Sequence, residues 1–143
     1  MELITIEYGS DRHKEEIRLR DQALRAPLGL KFKKKDLESE VKEMRFGLLD
    51  NNGKLVACLL IKVLNRSIVK LRQMAVEEEV RRQGVGKELI QKVETEIRKQ
   101  NFKHIELHAR MYAKLFYEKL GYAESGDIFF EVGLPHIKMT KDI

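Results

Sequence analysis

Apolar and polar positions recur along this chain with two different periods, and the change falls near its middle. Residues 2–8, ELITIEY, alternate and are rich in β-branched side chains, which predicts a first strand. Ser10 or Asp11 can cap a helix, and Ile17, Leu24 and Leu28 mark an apolar face that predicts helix from residue 11 to about Leu24. Pro27 and Gly29 punctuate its end. A short second helix is expected over Asp36 to Glu43. FGLLD (46–50) and KLVACLLIKVL (54–64) flank Asn51-Asn52-Gly53, and Asn-Gly supplies the positive φ of a tight hairpin turn. Ser67 to Val76 reads as a third long strand beside them.

Beyond residue 84 the period lengthens. Val85, Leu89, Val93 and Ile97 recur every four residues with Ile90 adjoining, while Lys87, Glu88, Gln91, Lys92 and Glu94 fill the other faces. That pattern is an amphipathic helix of about four turns. HIELHA (104–109) alternates strictly as a strand does, and Tyr112 to Leu120 is a short helix that Gly121 can close. IFFEVG (128–133) and HIKMTK (136–141) are expected as two final strands joined near Pro135. The order β-α-α-β-β-β-α-β-α-β-β predicts one α/β (α+β) domain over residues 1–143, with a mixed, mostly antiparallel sheet flanked by helices.

Composition narrows the class. At 143 residues and 43% hydrophobic, with two prolines and nine glycines, the chain can bury a full core and is not disordered. No apolar run approaches the roughly 18 residues of a membrane helix, and the N-terminus lacks the pattern of a signal peptide. A single cysteine excludes an intrachain disulfide and fits a reducing compartment, so a cytoplasmic location is expected. Lys and Arg number 28 against 23 Asp and Glu, a net charge of +5. That surplus suits nucleic acid or a small phosphorylated ligand. The one dense basic block is Lys31, Lys33, Lys34 and Lys35 around Phe32, and it runs directly into amphipathic sequence. It reads as a solvated loop or helix start rather than a nucleic-acid surface.

The chemistry concentrates in Leu71 to Glu88, LRQMAVEEEVRRQGVGKE. A strand runs out at Val76, and Gly84 and Gly86 stand at the mouth of the long helix. Glycine there lets the backbone approach a bulky anion, and the first helical N–H groups lack intrahelical partners. With the positive end of the helix dipole they form a phosphate site, to which Arg81, Arg82 and Lys87 add charge. The pattern lacks the third glycine of a dinucleotide fingerprint and the Gly-Lys-Ser/Thr of a P-loop.

Arg81-Arg82-Gln83-Gly84-Val85-Gly86 resembles the Gln/Arg-x-x-Gly-x-Gly/Ala motif of the GNAT acyltransferase superfamily, and lies between the fourth strand and third helix as it does there. Downstream, Ala113 to Tyr122, AKLFYEKLGY, resembles that family's second signature, Ala-x-x-(Leu/Phe)-Tyr-x-Lys-x-Gly-(Phe/Tyr). The ending Phe130 to Met139 is similar to the ElaA-like branch. The likeness in element order covers nearly the whole chain. It implies acetyl transfer from acetyl-coenzyme A to an amine, borne by a small molecule or a peptide, with neither nucleic acid nor membrane as partner. A homodimer is compatible with it.

By the same resemblance, the backbone around Met74, Ala75 and Val76 holds the pantetheine arm. Arg81, Arg82, Gln83, Gly84, Val85, Gly86 and Lys87 hold the pyrophosphate, and Ala113, Phe116, Tyr117 and Lys119 complete the cofactor site. Tyr117 aligns with the family's general acid, and a phenol with a pKa of roughly 10 stays protonated at neutral pH. Its alternative role is packing of the short helix. Many relatives carry a catalytic Glu on the fourth strand, but Lys70 to Val76 contains no carboxylate. The base is therefore open among Glu131, His136 and His108. Relatives place Asn just after the fifth strand, where this chain has Arg110.

His104 and His108 would suit a metal on a helix. On a strand they stand about 13 Å apart at roughly 3.3 Å per residue, so no metal site is expected. Cys58, inside an apolar run, reads as inert core. Two other functions fit the chain: a coenzyme A-binding regulatory module without catalysis, and a small nucleic-acid binder whose affinity would fall steeply with salt.

Overall fold

The computed structural model describes residues 1–143. Strands β1 (Glu2–Thr5), β2 (Met44–Leu49), β3 (Leu55–Val63), β4 (Ile68–Val76), β5 (His104–Arg110), β6 (Ala123–Glu131) and β7 (Leu134–Asp142) form one sheet in the order β1-β2-β3-β4-β5-β7-β6. Only β4 and β5 run parallel; every other neighbouring pair is antiparallel. The helices are α1 (Asp11–Arg20), α2 (Lys34–Glu38), α3 (Val85–Lys99) and α4 (Lys114–Lys119). The mixed α/β architecture expected from the sequence is the one observed.

The core follows from the two periods. Helix α3 buries Val85, Leu89, Ile90, Val93 and Ile97 against Ala57, Leu59 and Ile61 of β3. Each such side chain contributes about 1.5–3 kcal/mol relative to exposure. Cys58, on the opposite face of β3, packs with Leu19 of α1 and Ala75 of β4. Helices thus cover the central strand on both faces, which is why its sequence is a continuous apolar run rather than an alternation. Burial pushes the Cys58 thiol well above the ordinary range, so it is inert core.

Several boundaries differ from the sequence pattern. The first helix ends at Arg20, not Leu24, and continues as a π turn over Asp21–Arg25 and a 3-10 turn over Ala26–Leu28 that Gly29 closes at φ 70°. Helix α2 begins at Lys34 and stops at Glu38, short of Glu43. Strand β6 starts at Ala123, five residues before the apolar run that suggested it, because its leading half is exposed and carries no alternation. Its hairpin to β7 turns at Val132 (φ 46°) and Gly133 (φ 75°), not at Pro135, which pairs with Phe130 inside the ladder. Pro135 is tolerated there because pairing with β5 stops at His136, one residue away.

Two features of β4 shape the site. Its parallel pairing with β5 extends only from Ile68/His104 to Leu71/Leu107, although both strands continue. Beyond Leu71 they splay, and the β5-facing edge of β4 is left without a strand partner. The pairing of β4 with β3 slips between Leu60/Arg72 and Cys58/Ala75, so Leu59 faces both Gln73 and Met74. This is a β-bulge, centred on Gln73 at φ 56°.

Candidate active site

The splay opens a cleft of about 310 Å³. Lys70 to Met74 of β4, Leu107, His108 and Arg110 of β5, and Tyr112, Ala113 and Tyr117 around α4 form its walls. The β6–β7 hairpin contributes Glu131, Val132 and His136, and the π turn contributes Leu24 and Arg25. Of the residues expected from sequence, Met74, Ala113, Tyr117, Glu131, His136, His108 and Arg110 converge here. The stretch Arg81–Lys87 lies outside this wall, at the start of α3. Ala75 turns its side chain away into the α1 contact, leaving only its backbone available.

Tyr117 is 8% exposed, between the rings of Phe116 and Tyr122 at 5.1 and 5.8 Å. Its hydroxyl has no hydrogen-bond partner in the protein, and burial pushes its pKa upward, with Tyr112 adding to the shift and Arg110 opposing it. The phenol stays protonated and able to donate. Tyr122 is the contrast: its hydroxyl donates to Glu94 Oε2 at 2.9 Å, and Lys141 holds the same carboxylate at 3.0 Å.

Two of the three candidate bases meet the Phe129 ring, and the third, Glu131, pairs with one of them. His108 Nδ1 lies 2.5 Å from Glu131 Oε1, and the His108 ring meets Phe129 edge-on at 4.8 Å. His136 stacks on Phe129 at 6.0 Å, and its Nδ1 contacts the Leu134 carbonyl at 2.8 Å. A carbonyl can only accept, so Nδ1 donates to it, and the tautomer this bond selects has its lone pair on Nε2. His104 pairs with Asp142 instead, at 2.6 Å, so the two histidines of β5 serve different carboxylates.

At the start of α3, Gly84 is the N-cap at φ 77° and offers no side-chain cap. Glu88 N–H is the first to find a backbone partner, the Gly84 carbonyl at 3.0 Å, so the N–H groups of Val85, Gly86 and Lys87 point out of the first turn. Arg82 and Lys87 are exposed beside them, while Arg81 Nε donates to the Val76 carbonyl at 3.1 Å and ties the loop to β4. The two glycines differ. A Cβ on Gly84 would meet open space, whereas one on Gly86 would stand 3.3 Å from Phe116 and 3.7 Å from Val76. Gly86 is small because α3 packs against Phe116, in addition to what its N–H offers. Lys119 is exposed at the end of α4.

Leu24, Arg25, Lys70, Arg72, Gln73 and Val132 are cleft residues that the sequence did not single out. Arg72 is neutralised by both oxygens of Glu43, at 2.6 and 2.7 Å. Arg25 has no carboxylate partner and stacks on Phe32 at 4.5 Å. Arg110 donates only to neutral oxygens, the Leu24 carbonyl at 3.0 Å and the Tyr112 hydroxyl at 3.3 Å. Burial lowers the Lys70 pKa, with Glu131 opposing. Gln73 Oε1 is buried without a donor.

Residues 16–143 match the model of the acetyltransferase (GNAT) domain. The chain belongs to the GNAT acetyltransferase family. The YyaT protein of Bacillus subtilis is 35% identical over 74 residues, covering 52% of this chain and 50% of that one. The chain spans about half the length of the first curated relatives it matches. The crystal structure of Escherichia coli ElaA superposes with a TM-score of 0.82 at 21% identity, covering 99% of both chains. A GNAT acetyltransferase from Elizabethkingia anophelis, solved with acetyl-CoA bound, superposes at 0.77 with 14% identity, covering 99% of this chain and 97% of that one. These two likenesses establish the fold. No helix here is long and apolar enough to cross a membrane.

Proposed function

We propose that this protein is an N-acetyltransferase that takes acetyl-coenzyme A as cosubstrate and an amine as acceptor. The observation that carries the reading is Tyr117: a buried phenol whose hydroxyl has no partner, in the cleft wall that His108, Glu131 and His136 also line.

The residues present fit the cofactor. Three outward N–H groups, the helix dipole, Arg82 and Lys87 suit a pyrophosphate. The unpaired edge of β4 beyond Leu71 offers main-chain donors and acceptors to an extended amide-bearing arm. Bound acetyl-coenzyme A supplies an activated acetyl group; transfer forms a C–N bond, breaks the C–S bond, and moves one proton from nitrogen to sulfur overall. Tyr117 Oη holds the proton for the departing sulfur, and its apolar surroundings keep it there until a thiolate develops. His136 Nε2, or Glu131 through its contact with His108, receives the proton that the amine loses. Gln73, at the β4 bulge, lines the same cleft as Tyr117.

Thermal unfolding with and without acetyl-coenzyme A tests the reading. A ligand present at 100 times its Kd raises stability by about 2.7 kcal/mol, which shifts Tm by several degrees. An unchanged Tm at millimolar ligand would overturn it. A coenzyme A-binding module without catalysis would show the shift but release no thiol with any amine.

A further inference from the structure

The geometry points to an acceptor that carries a carboxylate close to its amine: an amino acid or an acidic peptide N-terminus, not a polyamine or another polycation. This rests on the acetyltransferase reading and names the acceptor class for the same cleft.

Four arginine and lysine side chains line the cleft, and of these only Arg72 is paired with a carboxylate. Arg25, Lys70 and Arg110 form no ion pair; the one cleft carboxylate, Glu131, acts on Lys70 but is already engaged by His108. Half-buried charge without a partner is unfavourable, and the fold has not removed it here although it does so elsewhere. Arg25 and Arg110 line the same cleft, and burial lowers the Arg25 pKa, with repulsion from Arg110 and Arg20 adding to the shift. An anion between them relieves both the desolvation and the repulsion. Arg25 is held in place rather than free to swing away, since Phe32 lies under both its guanidinium and that of Arg20 (4.5 and 4.6 Å).

Arg25 enters from the π turn and Arg110 from β5, and the Arg110 bond to the Leu24 carbonyl locks the two elements together. The positive side of the cleft therefore lies on the α1 side of the sheet. The helix α3 N-terminus, the cofactor phosphate site proposed above, is a separate positive region outside the cleft wall. Lys31, Lys33 and Lys35, which flank Phe32 without ion pairs, extend the positive field to solvent and favour the approach of an acid. A cavity of about 310 Å³ that also admits the acetyl group leaves room for a small acceptor or a chain terminus.

The probes are N-acetyl compounds, which carry the acceptor's charge without needing turnover. Calorimetric titration, with and without coenzyme A, compares N-acetylglycine and N-acetylglutamate with N-acetylglycinamide and N-acetylputrescine. The acids are expected to bind at least about tenfold tighter, since a charge-assisted contact is lost in the neutral and cationic compounds. Arg25→Ala and Lys70→Met should remove most of that preference while leaving the Tm of the free protein and the acetyl-coenzyme A shift near wild type. Thiol release with glycine, glutamate and an amidated Asp-Ala-Ala peptide then separates a free amino acid from an acidic chain terminus. Equal or tighter binding of the amide or the putrescine derivative overturns the proposal. So does loss of the acetyl-coenzyme A shift in Arg25→Ala, which would assign that cation to the cofactor. Absence of the shift in the wild-type protein defeats the acetyltransferase reading instead, while the titrations without coenzyme A still decide the charge preference.

Discussion

The same side chains meet opposite fates in two neighbouring regions. Beneath α1, Arg20 is fully buried and donates to Glu16 Oε1 and Glu40 Oε2, each at 2.8 Å. Arg45 beside it donates to the Glu40 and Glu43 carbonyls. His13, buried on the same face, accepts at Nδ1 from Gly9 N–H at 2.9 Å, and burial together with Arg45 and Arg20 lowers its pKa. In the cleft a few residues along, Arg25 and Lys70 have no such partners, and Tyr117 keeps a free hydroxyl while Tyr122 spends its own on Glu94. Where charges are paired, they hold elements together. Where they are left open, they await something the chain does not contain.

That contrast breaks first at the tyrosines. Tyr117→Phe keeps the ring and removes the proton donor, so turnover should fall by about 10²–10⁴-fold with acetyl-coenzyme A binding preserved. Steady-state kinetics on an identified acceptor, with chemistry rate-limiting, decide it; retention of more than half the activity would make Tyr117 a packing residue. Among the arginines, Arg20→Ala leaves Glu16 and Glu40 buried without their cation and should cost about 3–5 kcal/mol in urea unfolding. Adding Glu16→Gln and Glu40→Gln should recover much of that loss. Arg25→Ala forfeits only stacking on Phe32 and should stay within about 1 kcal/mol of wild type. Tyr122→Phe should cost about 1–2 kcal/mol and leave turnover unchanged, because its partner is structural.

Elements built on a clean period were readable in the sequence. The spacing of Val85, Leu89, Val93 and Ile97 gave α3, and the apolar run from Leu55 beside Asn-Gly gave one strand of a hairpin. Helix α1 was harder because three of its four buried residues are polar, His13, Glu16 and Arg20 beside Leu19, while the apolar Ile17 is only half-buried. Nothing local marks Arg20 as buried, since one of its carboxylates lies twenty residues away. For the same reason the sequence named Tyr117, Glu131 and His136 but not Arg25 or Lys70. Whether a cation is matched depends on tertiary pairing, and the glycine-rich loop was conspicuous only because its chemistry lies in consecutive residues.

The smallest effect lies at the hairpin tip, where the cleft keeps a backbone cost as well as unmatched charge. Val132 and Gly133 both have positive φ, the geometry of a two-residue I′ turn, whose favoured residues are Asn-Gly. An L-residue in this region costs about 1–2 kcal/mol, and a β-branched one is a poor occupant, whereas Asn tolerates it. Val132→Asn should therefore raise stability by about 1 kcal/mol and Tm by a few degrees. Val132 also contributes apolar wall to the cleft next to Glu131. The more stable variant should show a higher acceptor KM, with an unchanged acetyl-coenzyme A shift, if the strained valine is kept for the acceptor's sake. A Tm that fails to rise would mean that the hairpin bears no strain. A rise with unaltered KM would make the valine incidental to the cleft.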